Sequence, residues 1–283
     1  MRERLALRAA ERTGGEIVSA DSRQVYRGMD IGTAKPTVAE RTRVRHHCID
    51  LVDPGEPYDA ARFQRDARAA LADIAARGRM AYVVGGTGLY VRALLDGLDL
   101  DAAPTDPALR ARLEARAGAE GAAVLHRELA GIDRASAERV DPRNARRVVR
   151  YLELALLVGR VPTERGERID CPRIGLDPPR AWLDARIGER VARMVDDGVL
   201  DETRRLVEQG LDPRLPSMSG HGYVHWAAQL RGEMSVDAAI AATARDVRAY
   251  SRRQMTWFRR DPAIRWVDPT TTDPRTFLEA VAA

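Results

Sequence analysis

Two short stretches carry residues whose types and spacing suit chemistry. Asp21 follows the apolar run Glu16-Ile17-Val18-Ser19-Ala20 and opens the polar segment Asp21-Ser22-Arg23-Gln24-Val25-Tyr26. A carboxylate there can take a proton from a substrate, or simply cap a helix. The second stretch is Gly85-Gly86-Thr87-Gly88-Leu89-Tyr90. Glycines at a helix start let a ligand reach backbone N–H groups, and the helix dipole favours phosphate. A Gly-rich turn can equally be just a turn. Together, in one sheet, the two point to a phosphate-handling site. Elsewhere, Arg143, Arg146, Arg147 and Arg150 crowd one short stretch, with Arg146 and Arg150 on one helix face. Arg248, Arg252, Arg253, Gln254, Trp257 and Arg259 mix guanidinium groups with an aromatic ring, as contacts to single-stranded nucleic acid do.

The elements that must position these residues follow from apolar spacing. Leu5, Ala6, Ala9 and Ala10 predict a helix over 3–12, stopped by Gly14-Gly15, before a strand at 16–20. Phe63, Ala67, Leu71 and Ile74 predict a helix within 58–77. Met80-Ala81-Tyr82-Val83-Val84 then reads as a strand buried on both faces, followed by a helix over 89–95. His47-Cys48-Ile49-Asp50-Leu51 also reads as buried strand, with Cys48 a packed thiol. Alternation of strands and helices means α/β with a parallel sheet, where ligands bind at the carboxyl ends of the strands. Between about Asp106 and Ile169 only helical periodicity is visible, including helices from Pro107 and over 145–158. The expected division is an α/β core of 1–105 and 172–283 with a helical insertion at 106–171. Residues 172–176 read as a return to the sheet. Helices follow over 183–194 and from Val236 towards Arg259, with a last strand at 264–267.

Composition narrows the classes. The 283 residues are 45% hydrophobic and 31% charged, an ordinary globular mix. A net charge of +4 permits a polyanionic partner without demanding one. Lys35 is the only lysine, and every other basic residue is arginine. That bias fits a compositional origin as well as it fits phosphate binding. Cys48 and Cys171 exclude a disulfide scaffold and lack zinc-site spacing. No long apolar run and no signal-peptide core is present, so a cytoplasmic protein with no membrane partner is expected.

The segment from Asp21 to Pro36, Asp-Ser-Arg-Gln-Val-Tyr-Arg-Gly-Met-Asp-Ile-Gly-Thr-Ala-Lys-Pro, closely resembles the signature of the tRNA dimethylallyltransferases, also called tRNA isopentenyltransferases. His46-His47-Cys48-Ile49-Asp50, Asp53-Pro54 with Tyr58 and Phe63, Gly85 to Tyr90, Gly222-Tyr223 and Arg252 to Phe258 continue the likeness along nearly the whole chain. The resemblance implies a P-loop-kinase-like parallel sheet with a helical insertion, in a nucleotide-binding type of fold. It implies transfer of a dimethylallyl group from its diphosphate to N6 of the adenosine 3′-adjacent to a tRNA anticodon. By the same resemblance Asp21 is the general base, and Thr87 and Arg190 lie near the diphosphate with Mg²⁺. Contacts to the anticodon stem-loop are carried over to Asp21, Ser22, Arg23, Gln24, Thr87, Arg110, Arg146, Arg147, Arg150, Ser219, Gly222, Tyr223, Arg252, Arg253, Gln254 and Trp257. A single copy is expected to act alone, as a monomer.

The family also begins with a strand and a Gly-x-x-x-x-Gly-Lys-Ser/Thr loop, which this sequence does not contain. Two readings stand: a start codon assigned too far downstream, or a degenerate relative. Retention of Asp21 and Thr87 favours the first, with the upstream DNA expected to continue in frame into that strand and loop. Ser219-Gly220-His221, Val224 and Val247 also depart from the family pattern, at positions that bear on tRNA docking rather than transfer. The alternatives are a non-catalytic tRNA-binding relative and an enzyme that prenylates free adenine nucleotides. The arginine-rich insertion argues against the latter.

Overall fold

A computed structural model describes residues 2–98, 104–161, 167–213, 215–220 and 222–271; the departure at His221 lies outside them. The chain divides into two compact units, Met1–Leu95 with Ile169–Ala283, and Asp96–Arg168.

The first unit opens with helix α1 (Arg2–Thr13), strand β1 (Glu16–Ala20), helix α2 (Val38–Arg43) and the short strand β2 (His46–His47). Helix α3 (Ala60–Ala76), strand β3 (Ala81–Gly85) and helix α4 (Gly88–Leu95) follow. Local chemistry sets the ends: Thr37 and Glu40 form a reciprocal capping box on α2, and Asp59 accepts the Arg62 N–H to start α3. The strands form one parallel sheet in the order β2-β1-β3. Central β1 is buried along its whole length, whereas β3 is fully buried only at Tyr82. The expectation that β3 is covered on both faces therefore fails, because it lies at the edge of the described sheet.

The reading of 47–51 as buried strand fails too. Cys48 (φ 59°) and Asp50 (φ 55°) take left-handed conformations that no strand accommodates. Cys48 is nonetheless a packed thiol, its pKa pushed up to about 12 by burial and then by Asp66.

Among the described residues the second unit is built of helices: α5 (Pro107–Glu120), α6 (Ala122–Ile132), α7 (Arg134–Glu138) and α8 (Ala145–Val158). Asp106 caps α5 ahead of Pro107, Asn144 caps α8, and Gly159 (φ 75°) ends it. Leu113, Leu125, Leu129, Val148 and Leu152 form its core.

The chain re-enters the first unit at Ile169, whose N–H donates to the Leu95 carbonyl at 3.0 Å. Ile169 and Cys171 pack on the core around Phe63, Tyr90 and Leu94, where the Phe63 and Tyr90 rings stack at 4.3 Å. That packing puts the boundaries at 95/96 and 168/169 rather than 105/106 and 171/172. Strand β4 (Arg173–Leu176), helices α9 (Arg180–Asp196), α10 (Val199–Glu208), α11 (Tyr223–Leu230) and α12 (Val236–Phe258), and strand β5 (Ile264–Val267) complete the unit. Among the described residues β4 pairs in parallel with β5, not with the three-stranded sheet. The expected return to the sheet is thus a separate two-stranded ribbon. The architecture is α/β, with parallel strands and a helical insertion.

Candidate active site

Adjacent carboxyl ends of β1 and β3 build the site. Ala20 pairs with Gly85, so Asp21 and the turn 86–87 leave the sheet side by side. A Cβ at Gly85 would lie 2.1 Å from the Ala20 carbonyl oxygen, so only glycine allows this approach. The Thr87 N–H donates to the Ala20 carbonyl at 3.2 Å, and the Thr87 Oγ1 accepts the Ser22 N–H at 3.0 Å. The Asp21 Oδ1 accepts the Arg23 N–H at 2.9 Å, which fixes the carboxylate on its own turn. Asp21, Ser22 and Thr87, singled out from sequence, therefore converge.

Helix α12 packs over this corner. Gln254 Nε2 and the Tyr250 hydroxyl both donate to the Gly86 carbonyl, at 2.8 and 3.4 Å. Trp257 lies against Gly88, where a Cβ would come 2.2 Å from the indole ring, and the Arg92 guanidinium stands 5.9 Å from that ring. Tyr250 was not picked out from sequence, although it sits one helical turn before Gln254 on the same face. Burial and then the Asp21 carboxylate raise its pKa, while hydrogen bonds with Thr87 and Gln254 pull it down.

The charges around Asp21 include two residues that sequence reasoning missed. Arg2 Nη2 pairs with Glu3 Oε1 at 2.8 Å. Burial works against the Glu3 carboxylate, but Arg2 outweighs it and holds the pKa at about 2. Burial likewise opposes the Arg2 charge, and Glu3 and Asp21 more than restore it. Arg2 Nε is a buried donor with no acceptor. Arg190 on α9 is exposed at the surface; desolvation and then Arg2 and Arg193 lower its pKa while Glu3 and Asp21 raise it, so it senses the same charges. The signal for Arg2 and Glu3 was their place at the start of α1, whose N-terminus meets the strand ends.

The remaining residues divide by what occupies them. Arg23 donates to the Pro216 carbonyl and to Ser219 Oγ (3.0 Å), tying the Asp21 turn to residues 216–219. Gln24 is buried: its Oε1 accepts from Ser19 Oγ at 2.9 Å and its Nε2 donates to the Ala34 carbonyl. It has no surface to offer tRNA. Tyr223 is completely buried, and its hydroxyl donates to Glu202 at 2.7 Å. Gly222 is buried beside it with φ 90°, so neither residue of this pair presents a free surface here. Glu202, also missed, accepts the backbone N–H groups of Asp30, Ile31 and Gly32 at 2.8–3.0 Å. Arg252 and Arg253 are exposed, and with Trp257 and Arg260 they line an open recess of about 420 Å³.

In the helical unit, Glu153 is fully buried and accepts from Arg110 (2.8 and 3.0 Å), Arg150 (2.7 Å) and the Asp106 N–H (2.9 Å). Arg147 donates to the Tyr151 hydroxyl and lies over its ring, and Arg143 pairs with Asp141. Arg146 is exposed with no side-chain hydrogen bond or ion pair among the described residues. Arg146 and Arg150 are therefore not equivalent, despite their shared spacing.

Among the described residues no three His, Cys, Asp or Glu side chains cluster as metal ligands. Mg²⁺, however, needs only one or two carboxylates when substrate phosphates and water complete its shell. Asp21, Glu3 and the Thr87 hydroxyl are oxygen donors of that kind. No described helix is long and apolar enough to cross a membrane.

Comparison with known proteins agrees with this geometry. The family model described as IPP transferase matches residues 24–261. A tRNA dimethylallyltransferase of Anaeromyxobacter dehalogenans is 51% identical over 272 residues, covering 94% of this chain and 88% of the relative. One from Thermomicrobium roseum is 49% identical over 269 residues, covering 94% and 82%. The crystal structure of the full-length tRNA isopentenylpyrophosphate transferase of Bacillus halodurans superposes with a TM-score of 0.72 at 38% identity, covering 98% of this chain and 89% of that one. With its strand-end Asp21–Thr87 corner and a likeness that runs almost end to end, the chain belongs to the IPP transferase family, that of the tRNA dimethylallyltransferases.

Proposed function

We propose that this enzyme transfers a dimethylallyl group from dimethylallyl diphosphate to N6 of the adenosine 3′-adjacent to a tRNA anticodon. The observation that carries the reading is the Asp21–Thr87 corner, a carboxylate held by the Arg23 N–H and a hydroxyl held by the Ser22 N–H on neighbouring strand ends. The exocyclic amine of adenine is a weak nucleophile because its lone pair is delocalised into the ring. As the N6–carbon bond forms, Asp21 takes the departing N6 proton, while the allylic C–O bond breaks and diphosphate leaves with the electron pair. Arg2, with its unmatched Nε donor, Arg190 and Thr87 surround the place where negative charge grows. Mg²⁺, held through Glu3, the Thr87 hydroxyl and the diphosphate itself, would neutralise part of that charge when bound.

The adenine must leave its stack to reach Asp21. Arg252, Arg253 and Trp257 suit a flipped base and its flanking phosphates, with Ser219 and Arg23 at the edge of the Asp21 turn. Exposed Arg146 and half-engaged Arg147 suit the stem. A tRNA substrate is in keeping with a cytoplasmic enzyme. A single copy acting alone, as a monomer, fits this reading. Incubating the purified chain with dimethylallyl diphosphate, Mg²⁺ and either unmodified tRNA or AMP tests the reading. Prenylated tRNA and unchanged AMP are expected; prenylated AMP with unchanged tRNA would overturn it.

A further inference from the structure

Lys35 is the one basic position of this chain that is not arginine, and the structure supplies a physical reason. Its side chain is wholly buried, and its Nζ sits among three oxygens: the Tyr26 carbonyl at 2.8 Å, Asp30 Oδ1 at 2.6 Å and Asp50 Oδ1 at 2.6 Å. An ammonium has three donors on one compact nitrogen and satisfies all three acceptors. The planar fork of a guanidinium spreads its donors over three nitrogens and cannot converge on one point. Wherever charge alone matters, this chain uses arginine; here geometry demands lysine.

The cage does more than neutralise two carboxylates. Ala34 (φ 51°), Cys48 (φ 59°) and Asp50 (φ 55°), the three non-glycine residues with positive φ among the described residues, all belong to the loops that converge on Lys35. Left-handed backbone at such residues is strained, and persists only where surrounding contacts over-determine it. Those contacts lead to the catalytic turn. The Asp50 N–H donates to the Gln24 carbonyl at 3.1 Å, Gln24 Nε2 donates to the Ala34 carbonyl at 3.3 Å, and the Tyr26 N–H donates to the Arg23 carbonyl at 3.2 Å. Asp50 Oδ2 is held in turn by Arg41 at 2.5 Å. The segment that presents Asp21 is thus anchored from beneath by one buried cation.

We propose that Lys35 is a positioning residue for the transfer reaction, its ammonium cage locking residues 22–26 so that Asp21 meets the adenine amine in register. The proposal rests on the prenyl-transfer reading and adds the device that aims its base. A displacement of the base by about 1 Å costs on the order of 10²-fold in rate.

The test is Lys35→Arg, which keeps the charge and removes the point geometry, with Asp50→Asn as a milder second variant. Hydrogen exchange of the amides of residues 22–26 is expected to quicken at least tenfold in Lys35→Arg, with α3 and β3 unchanged. The transfer kcat should fall about 10²-fold while the KM for tRNA stays within about threefold, and Asp50→Asn should show the same pattern more weakly. Unchanged exchange at 22–26, uniform acceleration throughout the chain, or unfolding of both variants would overturn the proposal, since the cage would then be idle or serve the whole fold. A parent chain that transfers nothing fails the prenyl-transfer reading instead, and the exchange measurement still decides the role of Lys35.

Discussion

The strand-end corner and the arginine-bearing helix α8 use hydrogen bonds in opposite ways. At the corner, backbone N–H groups hold the reactive side chains: Ser22 donates to Thr87 and Arg23 donates to Asp21. Each of those side chains keeps a further oxygen lone pair for substrate. On α8, side chains hold one another. Arg110 and Arg150 converge on buried Glu153, Arg147 leans on Tyr151, and Arg143 pairs with Asp141, leaving Arg146 open. The difference separates preorganisation for chemistry from supply of charge. A cluster of four arginines presents far less free charge than its sequence suggests, whereas one carboxylate on a fixed turn keeps an oxygen available.

The comparison breaks most visibly at Asp21. Asp21→Ala should lower the transfer rate by about 10²–10⁴-fold with tRNA affinity nearly unchanged, because a general base acts in the transition state and not in docking. Single-turnover transfer and a tRNA binding isotherm check both halves. Transfer within about tenfold of the parent would remove Asp21 from the base role.

The helical unit breaks at a residue that never meets substrate. Glu153→Ala leaves Arg110 and Arg150 without their buried counter-ion and the Asp106 N–H without its acceptor. Breaking a buried pair from one side costs about 3–5 kcal/mol. The two arginines are partly exposed, so the loss should fall at or below the low end of that range. Thermal unfolding of the variant reads it, and the damage should concentrate in residues 104–161.

Acid probes the same carboxylate without mutation. Burial raises the Glu153 pKa, but hydrogen bonds from Arg150, the Asp106 N–H and Arg110 outweigh it and bring it below the ordinary glutamate value. A depressed folded-state pKa means the group stabilises fully above its unfolded value, and that contribution is lost as pH falls through the folded one. Residues 104–161 should therefore lose exchange protection progressively below about pH 4.5. Protection unchanged down to pH 3 would contradict the role given to Glu153.

How much of this was legible before folding depends on whether the signal was local. Asp21 and Thr87 were readable because strand-end and helix-start positions are written in adjacent residues, and α8 because its apolar spacing and its Asn144 and Gly159 caps are local too. The Glu153, Glu202 and Lys35 clusters were not. Glu202 lies 172 residues from the Asp30 N–H and Glu153 lies 43 from Arg110, and nothing in a single sequence names a distant partner. The Lys35 partners are within 15 residues, but irregular loop backbone with positive φ brings them together and leaves no periodic signal. The burial of Gln24 and Tyr223 was hidden for a related reason: a polar side chain in a motif looks surface-facing until the partner that buries it is known. The β4–β5 ribbon misled because an apolar run records strand formation but not which strand it joins.

The smallest effect sharpens the comparison on α8 itself. Arg146 and Arg150 share a helix face, yet only Arg146 lacks an internal partner. Each phosphate contact contributes about one unit to the slope of log K against log salt. Arg146→Gln should therefore flatten the slope for tRNA by about one unit, with melting temperature unchanged. Arg150→Gln should leave the slope within a few tenths of the parent and instead lower the melting temperature, since its guanidinium is committed to Glu153 and the Pro104 carbonyl. Equal slope changes in the two variants would mean that tRNA pulls Arg150 off Glu153 on binding. In that case the internal pairs on α8 act as a reserve of charge released by the substrate, rather than as charge withdrawn from it.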